Sequence, residues 1–383
     1  MSEVVSRSFT SADMCPPVTF STRDLPQINY VPLVAYYTTS FRTALPIAAV
    51  NYLILICLNS DLPGGLGATQ TTACHECLRQ FCLETREFAQ LLGDIRTDGT
   101  RIPGAIEQKS KLIKLDTHTD FLNAVTIQAA AIADERSQVA DAVLLYHLCE
   151  DYDNVVRILN SALADAVTVD LGESPMQLQP LKPRSDHSSA QNGSTEKSDP
   201  ASSLSLTQST NSPQQLAQNM ISLYNSNALY YHRISPQNRT SCALLLRLLT
   251  ARSHLESEPP RFMEALDEIH STNLLPLRAE GSIPVIRASA AQFGGLPQVL
   301  ARCAGVAVVW AVGAIGGERD RLIQQGGAWE SGGIAEEETR ERVKGMLAGM
   351  AKDLMVFAGL VKYKLPGRVY DMLTRAGGEV GVY

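Results

Sequence analysis

The residues best placed to do chemistry are Cys74, His75, Glu76 and Cys77, with Cys82 close behind. Cysteines three apart on a helix share a face and could offer a metal ion two thiolates. A structural zinc site closes with four ligands, and no second CxxC or spaced histidine pair completes this one. The thiols therefore read as buried helix side chains. His75 and Glu76 do not open an HExxH zinc-protease motif, because Arg79 stands where the second histidine is required. A redox CxxC belongs beside the strands of an α/β fold, and alternating strand patterns are scarce here.

Other constellations give the same answer. Asp116, His118 and Asp120 could couple charge to a histidine, but no activated Ser or Cys motif accompanies them, and a capped helix junction explains the spacing. Gly64-Gly65-Leu66-Gly67 could present backbone N–H groups to a phosphate. It lacks the Lys-Ser/Thr of a P-loop and the third spaced glycine of a dinucleotide fingerprint, so it reads as an interhelical loop. The apolar run from Val306 into Gly313-Ala314-Ile315-Gly316-Gly317 has the wrong spacing for a nucleotide loop and no identifiable acidic ribose ligand. It reads as a buried helix packed closely through Gly305 and Ala307. Arg86 beside Glu84 and Glu87 reads as an ion pair, and Phe357, Leu360, Tyr363 and Leu365 as core rather than a peptide groove. The expectation is no catalytic, cofactor-binding or metal residue, and no enzyme; the sequence does not locate the partner-binding residues.

These side chains need elements to carry them. The 383 residues are 45% hydrophobic and 19% charged, enough apolar content to fold and too long for one ordinary core, which favours several domains or a stacked repeat. With 33 basic and 40 acidic residues the net charge is -7, and no dense Lys/Arg run tracks a phosphate backbone, so nucleic acid is not expected as a direct ligand. Ala44 to Leu58 contains Pro46 and Asn51, and Cys303 to Ile315 is thirteen residues against the roughly twenty of a spanning helix, so no membrane span is expected. The N-terminus, with Asp13, Pro16, Pro17 and Asp24, does not read as a secretion signal. Eight cysteines, several in apolar helical stretches, fit reduced thiols of a nuclear or cytosolic protein.

Apolar periodicity predicts helices at about 28–41, 46–58, 70–92, 104–114, 119–133, 137–149 and 152–167. A second set is predicted at about 213–230, 236–254, 260–271, 283–293, 296–314, 336–358 and 366–376. Val139, Ala142, Val143, Tyr146 and Cys149 form one stripe, Val155, Ile158, Leu159 and Ala162 another, and Asp151 can cap the second helix. Ser235-Pro236 and Pro259-Pro260 mark further starts. Helix hairpins recurring without a strict sequence repeat predict an all-α fold, an irregular α-solenoid of stacked antiparallel pairs. The expected organisation is a flexible lead-in over 1–27, solenoid over 28–169, a disordered Ser-rich insertion over 170–212, and solenoid over 213–383 with a Gly-rich loop near 325–335.

Leu83-Glu84-Thr85-Arg86-Glu87-Phe88-Ala89-Gln90-Leu91-Leu92-Gly93-Asp94, running on through Gly99 and Pro103 to Ile106, reads as helix, turn, helix, with Cys77, Phe81, Phe88 and Leu92 on one face. Its wording resembles the nucleoporin-interacting component family, an inner-ring scaffold family of the nuclear pore complex. Three more stretches agree in order: Tyr36 to Phe41 with Pro46, Ala49, Tyr52 and Ile54 to Leu58; Ala142 to Tyr146 with Val155 to Leu159; and Phe357 to Gly367. The resemblance covers about residues 28 to 380 apart from the two inserts, and corresponds to the C-terminal part of the family. It implies a structural nucleoporin of the nuclear envelope that supports nucleocytoplasmic transport of protein and mRNA, without a cofactor. The implied partners are other inner-ring nucleoporins, especially a linear motif of the membrane-associated linker nucleoporin. Binding of channel nucleoporins would belong to an N-terminal segment that precedes this region in the family. A vesicle-coat or adaptor α-solenoid would share the periodicity and is the alternative.

Overall fold

A computed structural model describes residues 18–20, 26–28, 30–61, 65–96, 99–179, 211–327, 334–361 and 371. The chain divides into two compact units, one of residues 1–155 with 178–211, the other of residues 156–177 with 212–383. Among the described residues the fold is all-α, of the α-solenoid class, with two small β-hairpins.

In the first unit, β1 (Val18–Phe20) and β2 (Pro26–Ile28) pair antiparallel within the segment expected as a lead-in. The helices α1 (Tyr30–Thr38) and α2 (Pro46–Ile54) follow, and Pro46 presets the first turn of α2. A 3-10 turn (Leu55–Asn59) leads to α3 (Leu66–Thr85), whose buried face is Cys74, Cys77, Leu78, Phe81, Cys82 and Thr85. Those spacings of three and four are the helical repeat seen from the core, and burying Leu78 or Phe81 contributes about 1.5–3 kcal/mol each.

Around Leu83 to Ile106 the structure departs from helix, turn, helix. The helix α3 ends at Arg86, which takes φ 56°, and a one-turn α4 (Phe88–Leu91) follows. Next come β3 (Gly93–Ile95) and β4 (Arg101–Pro103), paired antiparallel, then a 3-10 helix (Glu107–Ile113). Phe88 and Leu92 are buried as expected, but beyond a break in the helix. Gly93, at φ 107°, crosses Gly104 closely: a Cβ on Gly104 would lie 2.4 Å from the Leu91 carbonyl oxygen and from the Gly93 nitrogen. The close crossing lets Ala105 and Ile106 donate to the carbonyls of Gln90 and Leu91 at 2.9 and 3.0 Å. The unit closes with α5 (His118–Phe121), a π-turn (Leu122–Thr126), α6 (Ile127–Glu135), α7 (Val139–Leu148) and the first turn of α8 (Tyr152–Thr168). The helix α7 is buried from Ala140 to Leu148 on every side rather than along one stripe. Asp151 does cap α8, accepting from the Asn154 backbone N–H at 3.2 Å.

The second unit holds the rest of α8, then α9 (Pro213–Ser226), α10 (Ala228–His232), α11 (Pro236–Leu255), α12 (Phe262–Ser271), α13 (Ile283–Phe293), α14 (Gln298–Gly327) and α15 (Ile334–Leu360). Ser235 caps α11, accepting from Asn238 N–H at 3.3 Å with Pro236 in the first turn. The helix α12 packs on α11 and α14, and α15 packs on α13 and α14. The apolar helix expected to stop near 314 continues to Gly327. Within it Gly317 makes room for the Phe262 ring, which a Cβ there would approach to 2.5 Å. By length and composition Gln298–Gln324 is apolar enough to cross a membrane, but 61% of its apolar window is buried inside the protein, as in a core helix. The expected helix at 366–376 and the Gly-rich loop near 325–335 lie largely outside the described residues, as do residues 180–210 of the Ser-rich insertion expected over 170–212.

Candidate interaction sites

The thiols of α3 are packing groups. Cys74, Cys77 and Cys82 are buried, and Cys74 Sγ donates to the Leu53 carbonyl at 3.4 Å. Burial pushes the Cys77 thiol up to about 11 and the Cys82 thiol higher still, while Cys74 is raised by its neighbour Cys57 and by burial. His75 Nε2 donates to the Ile113 carbonyl at 2.8 Å, and burial lowers its pKa, which keeps it neutral near pH 7. Arg79, the residue that broke the zinc-protease motif, donates to the Ala124 carbonyl at 2.7 Å. Among the described residues no group of three His, Cys, Asp or Glu side chains could hold a metal ion.

Asp116, His118 and Asp120 do not form a charge-coupled histidine. Asp120 closes a capping box with Thr117, its N–H donating to Thr117 Oγ1 at 3.1 Å while Thr117 N–H donates to Asp120 Oδ2 at 3.2 Å. His118 Nδ1 instead lies 2.8 Å from Glu107 Oε1, and Arg101 joins the same carboxylate. Gly65 starts α3 with φ 82°, while Gly64 lies outside the described residues. Phe357 is fully buried in edge-to-face contact with Phe293 at 6.0 Å, whereas Leu360, expected in the core, is exposed near the end of α15. Tyr363 and Leu365 lie outside the described residues.

Two polar constellations escaped sequence reasoning. Arg86 does not pair with Glu84 or Glu87: it grips the buried Asp141 of α7, its Nε donating to Oδ2 at 2.9 Å and to Oδ1 at 3.1 Å. Burial raises the Asp141 pKa and the Arg86 guanidinium opposes that rise. Glu84 is bound by Arg42. In the second unit Arg252, 3% exposed, donates from Nη1 to the carbonyls of Ala166 and Val169, each at 2.8 Å. Its Nη2 donates to those of Asp170 and Glu173 at 2.8 and 2.7 Å. Its Nε reaches Glu256 Oε1 at 2.9 Å, which also accepts from Gly172 N–H at 3.1 Å. One side chain thus satisfies the frayed end of α8 and holds the turn after it. The signal was present: Leu245, Leu248, Leu249 and Arg252 fall on one buried stripe, so the arginine stands at a core position.

Both units also present apolar side chains to solvent. On α1 and α2 the first unit exposes Leu33, Tyr36, Tyr37, Leu45 and Ile47, with Tyr36 77% accessible, and Tyr37, Phe41 and Tyr52 stack edge to face. The second unit contains a cavity of about 620 Å³ walled by Leu255, Phe262, Val306, Val309 and Trp310 and by the turn Thr168 to Leu171 that Arg252 pins.

Stacked helices, with polar groups spent on caps and closures, define a protein of the helical solenoid class. Comparison with known proteins gives it a family. The family model described as Nup93/Nic96 matches residues 4–372. Nucleoporin NIC96 of Chaetomium thermophilum is 40% identical over 359 residues, 94% of this chain and 31% of that protein. Nucleoporin NIC96 of Saccharomyces cerevisiae is 31% identical over 350 residues, 90% of this chain and 36% of that protein. The crystal structure of Chaetomium thermophilum Nic96 SOL superposes with a TM-score of 0.76 at 38% identity, over 94% of this chain and 48% of that one. This chain belongs to the Nup93/Nic96 family, in agreement with the resemblance carried by Leu83 to Ile106. It spans about a third of the length of the NIC96 relatives.

Proposed function

We propose that this chain is a structural, non-enzymatic part of the nuclear pore complex at the nuclear envelope. Its proposed role is to hold other nucleoporins in place and so to support passage of protein and mRNA. The observation that carries this reading is the family match along nearly the whole chain, to relatives named as nucleoporins. The physical mechanism is assembly by shape: preformed apolar clefts between helices take anchors from partner segments, and a few buried contacts supply most of the affinity.

The finer reading is that the partner segment is a linear motif of the membrane-associated linker nucleoporin of the inner ring. Channel nucleoporins would not be bound by this region, and no part of it would span the membrane. Affinity purification of the tagged chain from cells, followed by mass spectrometry, tests both levels. Recovery of inner-ring nucleoporins, the linker among them, is expected. Recovery of vesicle-coat subunits in place of nucleoporins would refute the scaffold assignment, and recovery of channel nucleoporins without the linker would reverse the finer one.

A further inference from the structure

We propose that the cavity between α11, α12, α14 and the Thr168–Leu171 turn is a docking pocket for a short peptide with an aromatic or branched aliphatic anchor beside a Lys or Arg. The proposal rests on the scaffold reading and assigns that reading a site.

The cavity measures about 620 Å³, far more than the packing voids of a protein interior and within the range of preformed ligand sites. Its walls are apolar, and one of them, Trp310, is 3% exposed and held in place by its own packing. Gly313 lines it from an exposed position inside α14, where glycine is disfavoured, so a larger residue there is the direct way to fill the space. The facing turn is rigid, since the carbonyls of Val169 and Asp170 are bound by Arg252. A peptide would therefore meet a site that needs little ordering to bind it.

Charge selects the occupant. Among the described residues Asp170 is the single charged side chain of the lining, is exposed, and its carboxylate has no hydrogen-bond or ion-pair partner. The guanidinium that binds the Asp170 backbone carbonyl, that of Arg252, is taken up by backbone carbonyls and Glu256. An apolar anchor in the cavity thus leaves a carboxylate at its side that a neighbouring Lys or Arg completes.

The test is selection of short peptides from a random display library against the intact chain, followed by fluorescence anisotropy of the recovered peptides with Gly313→Leu and Asp170→Asn. The recovered peptides should share an anchor within a few positions of Lys or Arg. Their affinity should fall about tenfold or more on Gly313→Leu, and less on Asp170→Asn, which should also remove the salt dependence. Melting temperatures should not fall, because both positions are exposed and Gly313→Leu replaces a disfavoured helix residue. Recovered peptides without the cation, or equal binding to both variants, would overturn the proposal. So would a native dimer that Gly313→Leu dissociates, since the cavity would then serve self-association. Affinity purification separates this from the scaffold reading. If Gly313→Leu retains every nucleoporin that the native chain recovers, the pocket assignment falls and the scaffold stands. If the native chain recovers none, the scaffold reading falls.

Discussion

Replacing Arg252 by Met should lower the melting temperature of the second unit by roughly 10 °C, and the figure follows from the partners of one guanidinium. Methionine fills much of the space but donates nothing. The bond to the Ala166 carbonyl is fully buried, so its loss leaves an unsatisfied acceptor at a cost of about 1–3 kcal/mol. The carbonyls of Val169, Asp170 and Glu173 are partly buried and can recruit water, which limits each to about 1 kcal/mol or less. The Glu256 side chain is 34% exposed, so solvent screening leaves its ion pair a small share. Together these give about 3–5 kcal/mol, and a unit of this size melts about 2–4 °C lower per kcal/mol. Arg252→Lys should recover only part of the loss, since a point charge cannot span carbonyls on both sides of a fork. Circular dichroism at 222 nm during a thermal ramp is the assay. A melting temperature within about 2 °C of native for Arg252→Met would show that the arginine is an incidental contact and refute the reasoning.

Other perturbations follow from the same geometry. His147 is buried, and desolvation pushes its pKa down to about 4 from the ordinary 6.5. The native state therefore binds no proton there while the unfolded chain does, so stability is full above about pH 6.5 and declines towards pH 4, by about 3 kcal/mol in all. Chemical denaturation across that range should show the slope, and His147→Leu should flatten it. Gly104→Ala would drive a Cβ into the Leu91 carbonyl and cost about 2–3 kcal/mol or more, read as a lower urea midpoint. Cys77, Cys82, Cys242 and Cys303 are buried with raised pKa values, so peptide-resolved alkylation at pH 8 should label them only after unfolding.

Much of the helical order was legible because helices are written locally. Asp151 before α8, Ser235-Pro236 before α11 and Pro46 in α2 each mark a start within a few residues, and the apolar period carries the rest. What escaped depends on residues far apart in the chain. Asp141 lies 55 residues from Arg86, and nothing near either residue announces the pair, although Asp141 interrupts an apolar run. The role of Gly317 shows only once the Phe262 ring is found against it. The stretch from Gly93 to Pro103 pairs as a hairpin because Gly93 and Gly104 let two backbones meet, a requirement invisible to periodicity. The cavity escaped for the same reason: Asp170, Leu255 and Trp310 come from separate elements. The family resemblance needed none of this, since it rests on wording rather than contacts.

As a proposed structural part of the nuclear pore, this chain should reside at the nuclear rim. Imaging a fluorescent fusion in living cells beside a marker of the nuclear envelope tests it most directly. A punctate rim coincident with pores is the predicted result, and cytoplasmic vesicle puncta with a dark rim would contradict it.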